Sequence, residues 1–364
     1  MRPAIVFAAL LFAAPAVAND LNATAAAALT GTGAPGLAVL TMQGGKIAGE
    51  GVSGLKRSDG TEKLGPADVW HIGSDGKPIT ATLIAKLVDQ GKLSWDAKLE
   101  QMLPELAATM RPEYRDVTLV DLLSHRAGLP HDISDMTYFN TFYGDKRPLS
   151  EQRLAYVARA LTEAPEVPPH TKFNYSNTGF LLAAVIAERV TGTDFETLMR
   201  REVFQPLGMA SAGFGNTRAG QNSGHLKGKP ATDKDANPAM FAPAGNMYMT
   251  MRDWAAFCLD QMAGVHGKGK LLKPATYRKM QTPVATGERA GIAWGTLESV
   301  AGVKGPALTH SGSDGNWYAL VILFPETQNG ALTAANAGEE MGGDKATKAA
   351  LKAVLPGLAP PVTP

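Results

Sequence analysis

Strand patterns lie at both ends of this 364-residue chain, and helical patterns fill the middle. Gly36 to Met42 and Lys46 to Val52 read as two strands joined by Gln43-Gly44-Gly45, a hairpin signal. Val69 to Ile72 reads as a third, short strand. Toward the other end, Ala290 to Thr296, Ala307 to His310, Trp317 to Phe324 and Ala331 to Ala335 read as strands, with Asp314-Gly315 as a tight turn. Between these groups, Ile79, Leu83, Ile84, Leu87 and Val88 recur at helical spacing after Gly73, and Gly91 closes that helix. Further helices are expected over Val120 to Leu123, Glu151 to Leu161 (Leu154, Val157, Ala158 and Leu161 inward), Thr178 to Val190, Asp194 to Val203 and Met251 to Ala263. A last helix is expected over Lys345 to Val354. Phe214 to Pro238, rich in Gly, Lys and Asp, reads as a long surface loop.

The pattern predicts an α/β (α+β) fold. One antiparallel sheet is built from both chain ends (19–73 and 284–356) with flanking helices, and a mainly helical part (74–283) is inserted. The cleft between the two is the natural site.

Composition removes several function classes. Net charge is +1, which gives no electrostatic case for nucleic acid. The seven histidines are scattered, without HExxH or paired ligand spacing, so neither a metal nor another cofactor is expected. Cys258 is the one cysteine and has no partner for a disulfide; its apolar neighbours mark it as a buried small hydrophobe. Residues 1–18 read as a signal peptide: Arg2, an apolar run from Ala4 to Ala14, then Ala16-Val17-Ala18 before Asn19. No other stretch is long and apolar enough for a membrane span, so a periplasmic or secreted protein is expected.

Three strings carry chemistry. Ser74 and Lys77, three apart at a helix start, share one face. A lysine can take a serine proton once burial and the positive end of the helix dipole lower its pKa. The Ser74 backbone N–H can stabilise an oxyanion. In Tyr175-Ser176-Asn177 the phenol can relay a proton, and the amide can hold both lysine and substrate. His310-Ser311-Gly312 ends a strand whose edge can pair with an extended substrate. There Gly312 permits close approach, Ser313 offers a second oxyanion N–H, and His310 can bind a polar group or assist proton transfer.

SxxK, YxN and [KH]-[TS]-G in this order resemble the serine β-lactamase and penicillin-binding-protein superfamily. The likeness is greatest to the class C β-lactamase-related serine hydrolases. Trp70 to Ser74, Gly91 to Asp96, Leu122 to Pro130, Phe204 to Met209 and Pro243 to Met247 match further recurrent strings. The resemblance implies Ser74 as acylated nucleophile, Lys77 as base, Tyr175 as relay and Asn177 as a substrate and lysine contact. It also implies an oxyanion hole from the Ser74 and Ser313 amides. His310 stands where lysine is usual, which weakens recognition of a substrate carboxylate and makes antibiotic hydrolysis a minor expectation. Pro78 and Ala127 also depart from the pattern. The implied activity is hydrolysis of an amide or ester in a small molecule or peptide. The competing expectation, motivated by Asp75-Gly76 and Pro78, is a catalytically silent module of the same fold that binds cell-wall fragments or a β-lactam. An α/β-hydrolase site is disfavoured, because no serine sits in GxSxG.

Overall fold

The computed structural model describes residues 19–217 and 220–359; the expected signal peptide lies outside them. A seven-stranded sheet runs in the order Asn19–Asp20, Lys46–Gly54, Gly36–Gln43, Asn329–Ala335, Tyr318–Phe324, Val303–Ser313 and Gly295–Val300. Every pair is antiparallel except the two-residue edge at Asn19–Asp20. The chain ends meet where Gly36–Gln43 pairs with Asn329–Ala335, near the middle of the sheet. Helices from both ends and an inserted helical region complete the α/β architecture expected from the sequence.

These central strands are apolar almost throughout because both faces are covered. Leu37, Val39, Ile322, Phe324 and Ala335 face the terminal helices Asn22–Leu29 and Gly343–Val354, meeting Ala25, Ala346 and Ala350. Their alternates, Ala38, Leu40, Met42, Val321 and Leu323, join the large core shared with the inserted region. The period of two thus sorts one strand between two cores.

The structure corrects several local expectations. The 69–72 segment does not join the large sheet. Val69–His71 pairs with Met247–Thr250, which pairs with Gly213–Phe214, in a separate three-stranded sheet under the turn that carries Ser74. The strand expected at Ala290 begins only at Gly295. Ala293 has φ +61°, and Gly291 donates its N–H to the Trp294 carbonyl, so 290–294 is a turn. The 214–238 segment is not wholly a surface loop, since Asn222 and His225 are fully buried beside a small hairpin. After Phe195–Met199 the chain widens into a π-helical turn over Arg200–Phe204. The helices Asn22–Leu29, Met136–Thr141 and Pro274–Gln281 were not placed by the sequence patterns.

The helix Leu149–Ala160 is rotated from its expected face. Leu154 is 38% exposed, whereas Arg153 is fully buried between Glu188 (2.6 Å) and Glu196 (2.9 Å). An arginine with two carboxylate partners displaces the apolar stripe. Arg153→Ala leaves both carboxylates uncompensated and is expected to destabilise the fold by about 3–5 kcal/mol, against under about 0.5 kcal/mol for Leu154→Ala. Urea unfolding of the two variants checks the assignment, and the reverse ranking would overturn it.

Candidate active site

Gly73 has φ +51° and starts a short 3-10 turn, Gly73–Asp75, that feeds the helix Gly76–Asp89. Ser74 therefore sits in the turn and Lys77 in the first helical turn. Pro78 is the third helical residue, where an N–H would have no intrahelical partner, so the proline fits without a bend. Behind the turn, the buried His71 ring accepts the Gly73 N–H at Nδ1 (3.2 Å). Its Nε2 then donates to Asn246 Oδ1 (3.0 Å).

Lys77 is fully buried. Its Nζ lies 3.0 Å from Ser74 Oγ, 2.7 Å from Asn177 Oδ1 and 2.5 Å from the Ala244 carbonyl. Desolvation lowers its pKa from the usual lysine value to about 7, with Asp132 and Asp75 pulling back upward. The partner set orders the protons. A neutral amine has two N–H groups and one lone pair, and Asn177 Oδ1 and the Ala244 carbonyl can only accept. They take the two N–H groups, so the lone pair is left for the Ser74 hydroxyl.

Tyr175 donates its hydroxyl to Ser74 Oγ at 2.8 Å. Burial raises its pKa, so the phenol keeps its proton. A stacked ring holds it in place. His125 stacks on its ring at 4.4 Å and 24°, and accepts the Ser176 N–H at Nδ1 (3.0 Å). Burial keeps His125 well below the usual histidine range, hence neutral. Asn177 donates through Nδ2 to Asp132 (3.1 Å), which fixes its amide with Oδ1 toward Lys77.

The strand Val303–Ser313 closes the other side. A Cβ on Gly312 would lie 1.9 Å from the Ile72 carbonyl and 2.8 Å from the Ser74 nitrogen, and one on Gly73 2.4 Å from the Ser313 nitrogen. Bare backbones touch here, and Ser74 and Ser313 line one small pocket of about 240 Å³ together with Asn177 and Asp132. Sequence reasoning assigned the space at Gly312 to substrate; the nucleophile turn occupies it instead. Tyr175, His310 and Ser311 line a second, larger cavity of about 690 Å³ with Phe173, Trp294 and Leu320. His310 Nδ1 is 3.1 Å from the buried Asp75 Oδ1 and 2.9 Å from the Ser311 carbonyl.

All eight residues singled out from the sequence thus converge. Ser74, Lys77, Tyr175 and Asn177 are joined by hydrogen bonds, and His310, Ser311, Gly312 and Ser313 form the facing strand end. Sequence reasoning missed His125, Asp132, the Ala244 carbonyl and the role of Asp75. His125 lay within the Leu122 to Pro130 string, but no spacing rule pairs it with Tyr175.

A family model described as Beta-lactamase matches residues 21–355. The chain belongs to the Beta-lactamase family. It is similar to penicillin-binding protein 4 of Amycolatopsis lactamdurans, 28% identical over 71% of this chain and 69% of that protein. It is also similar to an unguisins hydrolase of Aspergillus campestris, 25% identical over 83% and 58%. The chain thus spans about three-fifths to two-thirds of these relatives' length. In fold it resembles the octameric penicillin-binding protein homologue from Pyrococcus abyssi, with TM-score 0.75 and 22% identity over 93% of this chain and 77% of that one. It likewise resembles a D-stereospecific amidohydrolase from Streptomyces sp., with TM-score 0.73 and 22% identity over 90% and 98%.

Two measurements probe this geometry. A base of pKa about 7 is mostly protonated at pH 6 and mostly free at pH 8. Labelling of Ser74 by a fluorophosphonate should therefore rise about tenfold over that interval and then level off. A rate that falls with pH in the folded protein would remove Lys77 as the base. Gly312→Ala forces the strand end away from the turn and should slow labelling by about 10² to 10³, through lost alignment of the two amides. A rate within threefold of the parent would show that this contact does not set the geometry.

Proposed function

We propose that this chain is an exported serine hydrolase that opens amide or ester bonds through an acyl-enzyme on Ser74. The observation that carries the proposal is the buried Lys77 amine, 3.0 Å from Ser74 Oγ, with its other two contacts both acceptors. As Oγ attacks the substrate carbonyl, its proton passes to Lys77. The carbonyl oxygen takes up negative charge between the Ser74 and Ser313 amides. Tyr175, whose hydroxyl reaches Ser74 Oγ, relays a proton to the leaving nitrogen or oxygen as the acyl bond to it breaks. Water then attacks the ester by the reverse path, and Ser74 regains its hydrogen.

The names of relatives support an amide substrate, since they include an unguisins hydrolase and a D-stereospecific amidohydrolase. A peptide with a D-residue is the substrate class this favours. Export rests on the sequence pattern of residues 1–18.

The test is a panel of p-nitrophenyl esters and D-alanyl peptides, with the adduct located by mass spectrometry. We expect a burst of p-nitrophenol and an acyl group on the peptide carrying Ser74. Ser74→Ala should abolish both. Lys77→Ala should slow acylation by about 10³ or more. Ligand binding without turnover, unchanged by Lys77→Ala, would instead favour the silent binding module.

A further inference from the structure

Asp75 is an unusual residue to bury. It is 1% exposed, its Oδ1 meets His310 Nδ1 at 3.1 Å, and its Oδ2 has no hydrogen-bond partner among the described residues. A buried carboxylate normally collects several donors. Here the side chain has one, and that one lines the larger cavity.

The same contact fixes the imidazole. Nδ1 faces two acceptors, Asp75 Oδ1 and the Ser311 carbonyl, so Nδ1 carries the hydrogen. Nε2 has no partner among the described residues and is left for the cavity. Tyr175 lines this cavity too, and the group that Tyr175 protonates must leave on its side. The cavity therefore receives the leaving group, and its walls of Phe173, Trp294, Tyr318 and Leu320 favour a large apolar one.

The charge beside the scissile bond follows. With Asp75 ionised, the His310–Asp75 pair carries zero net charge when the imidazole is protonated and −1 when it is neutral. In neither state does it offer a net cation to a substrate carboxylate. The cavity's other charged lining residues are Glu288, Arg289 and Lys348. Glu288 is bound to Arg126 and Lys348 to Asp344, while Arg289 is exposed at the surface. None of these makes a hydrogen bond or ion pair with His310 or Asp75.

We propose that Asp75 is a positioning and specificity-determining residue, which through His310 restricts the enzyme to leaving groups without a carboxylate beside the scissile bond. Amide-capped or esterified, apolar leaving groups are the class this admits. The inference rests on the acyl-enzyme reading above.

The test uses two phenyl acetates of similar reactivity, one with a 3-carboxylate and one with a 3-carboxamide on the leaving phenol. At pH 8 Asp75, whose pKa burial raises to about 6, is ionised. We expect kcat/KM of the parent protein to favour the carboxamide by about tenfold or more, and Asp75→Asn to narrow the ratio to within about threefold. A general loss of packing would lower both rates and leave their ratio alone. Should Asp75→Asn fail to fold, His310→Lys, which sets a permanent cation against Asp75, is expected to narrow the ratio in the same direction. Equal rates in the parent, or a ratio unmoved by the folded variants, would overturn the role of Asp75. Fluorophosphonate labelling separates the two levels. Labelled Ser74 with an unmoved ratio removes only this inference, and unlabelled Ser74 removes the acyl-enzyme reading beneath it.

Discussion

An amine held in a dry interior, short of its usual proton, is the interaction on which this structure depends. A lysine in water stays protonated at pH 7, and keeping Lys77 ready to lose its proton there works against stability by several kcal/mol. The linkage has a definite sign. The unfolded chain binds the extra proton between about pH 7 and the ordinary lysine range, so this group's contribution to stability improves as pH rises through that window. The chain tolerates the burden because Nζ has three hydrogen-bond partners, each from a different segment. Asn177 comes from the loop before one helix and Ala244 from the segment before a strand, while Ser74 comes from the turn beneath. Loosening any of these lets water reach the amine and returns it to the charged form.

The two-ended sheet makes sense in these terms. Its strand Val303–Ser313 comes late in the chain, and the nucleophile turn comes early. Their backbones must approach closely enough to set two amides around one oxygen. Gly73 and Gly312 make that approach possible, because a side chain at either would overlap the opposite backbone. The separate sheet of Val69–His71 and Met247–Thr250 does the complementary work, and ties the turn to the segment that carries Ala244. His71 and Asn246 reinforce that tie from behind. The site is therefore an intersection of three layers rather than a feature of any one.

Local signals in the sequence disclosed what depends on local spacing. Ser74 and Lys77 share a helix face whatever surrounds them, and the nearly unbroken apolar run of Gly36 to Met42 marks a covered strand. Polar partners brought together across the fold leave no such trace. Asp132 and Asn177 lie 45 positions apart, and His310 and Asp75 lie 235 apart. Arg153 misled for the same reason. A buried arginine is credible only once Glu188 and Glu196 are known to face it, and without them Leu154 looks like the inward residue. Ala293 escaped because a positive φ at alanine has no sequence signature, so the strand seemed to begin too early.

Backbone groups form a large share of the reactive surface: the Ser74 and Ser313 amides, the Ala244 carbonyl, and the bare contact of Gly73 with Gly312. Such groups persist through wide changes of side chain, provided the backbone path is kept. Substrate choice must then be written in the side chains that line the two pockets. The small one is polar, with Asn177 and Asp132, and sits over the oxyanion amides. The large one is walled by aromatic rings and includes Tyr175 in its lining. A carbonyl held between them presents its acyl side to hydrogen-bonding groups and its departing side to apolar surface. Asp75 extends that division to charge, since it lies inside the nucleophile turn and acts on the departing side through a histidine from the opposite layer.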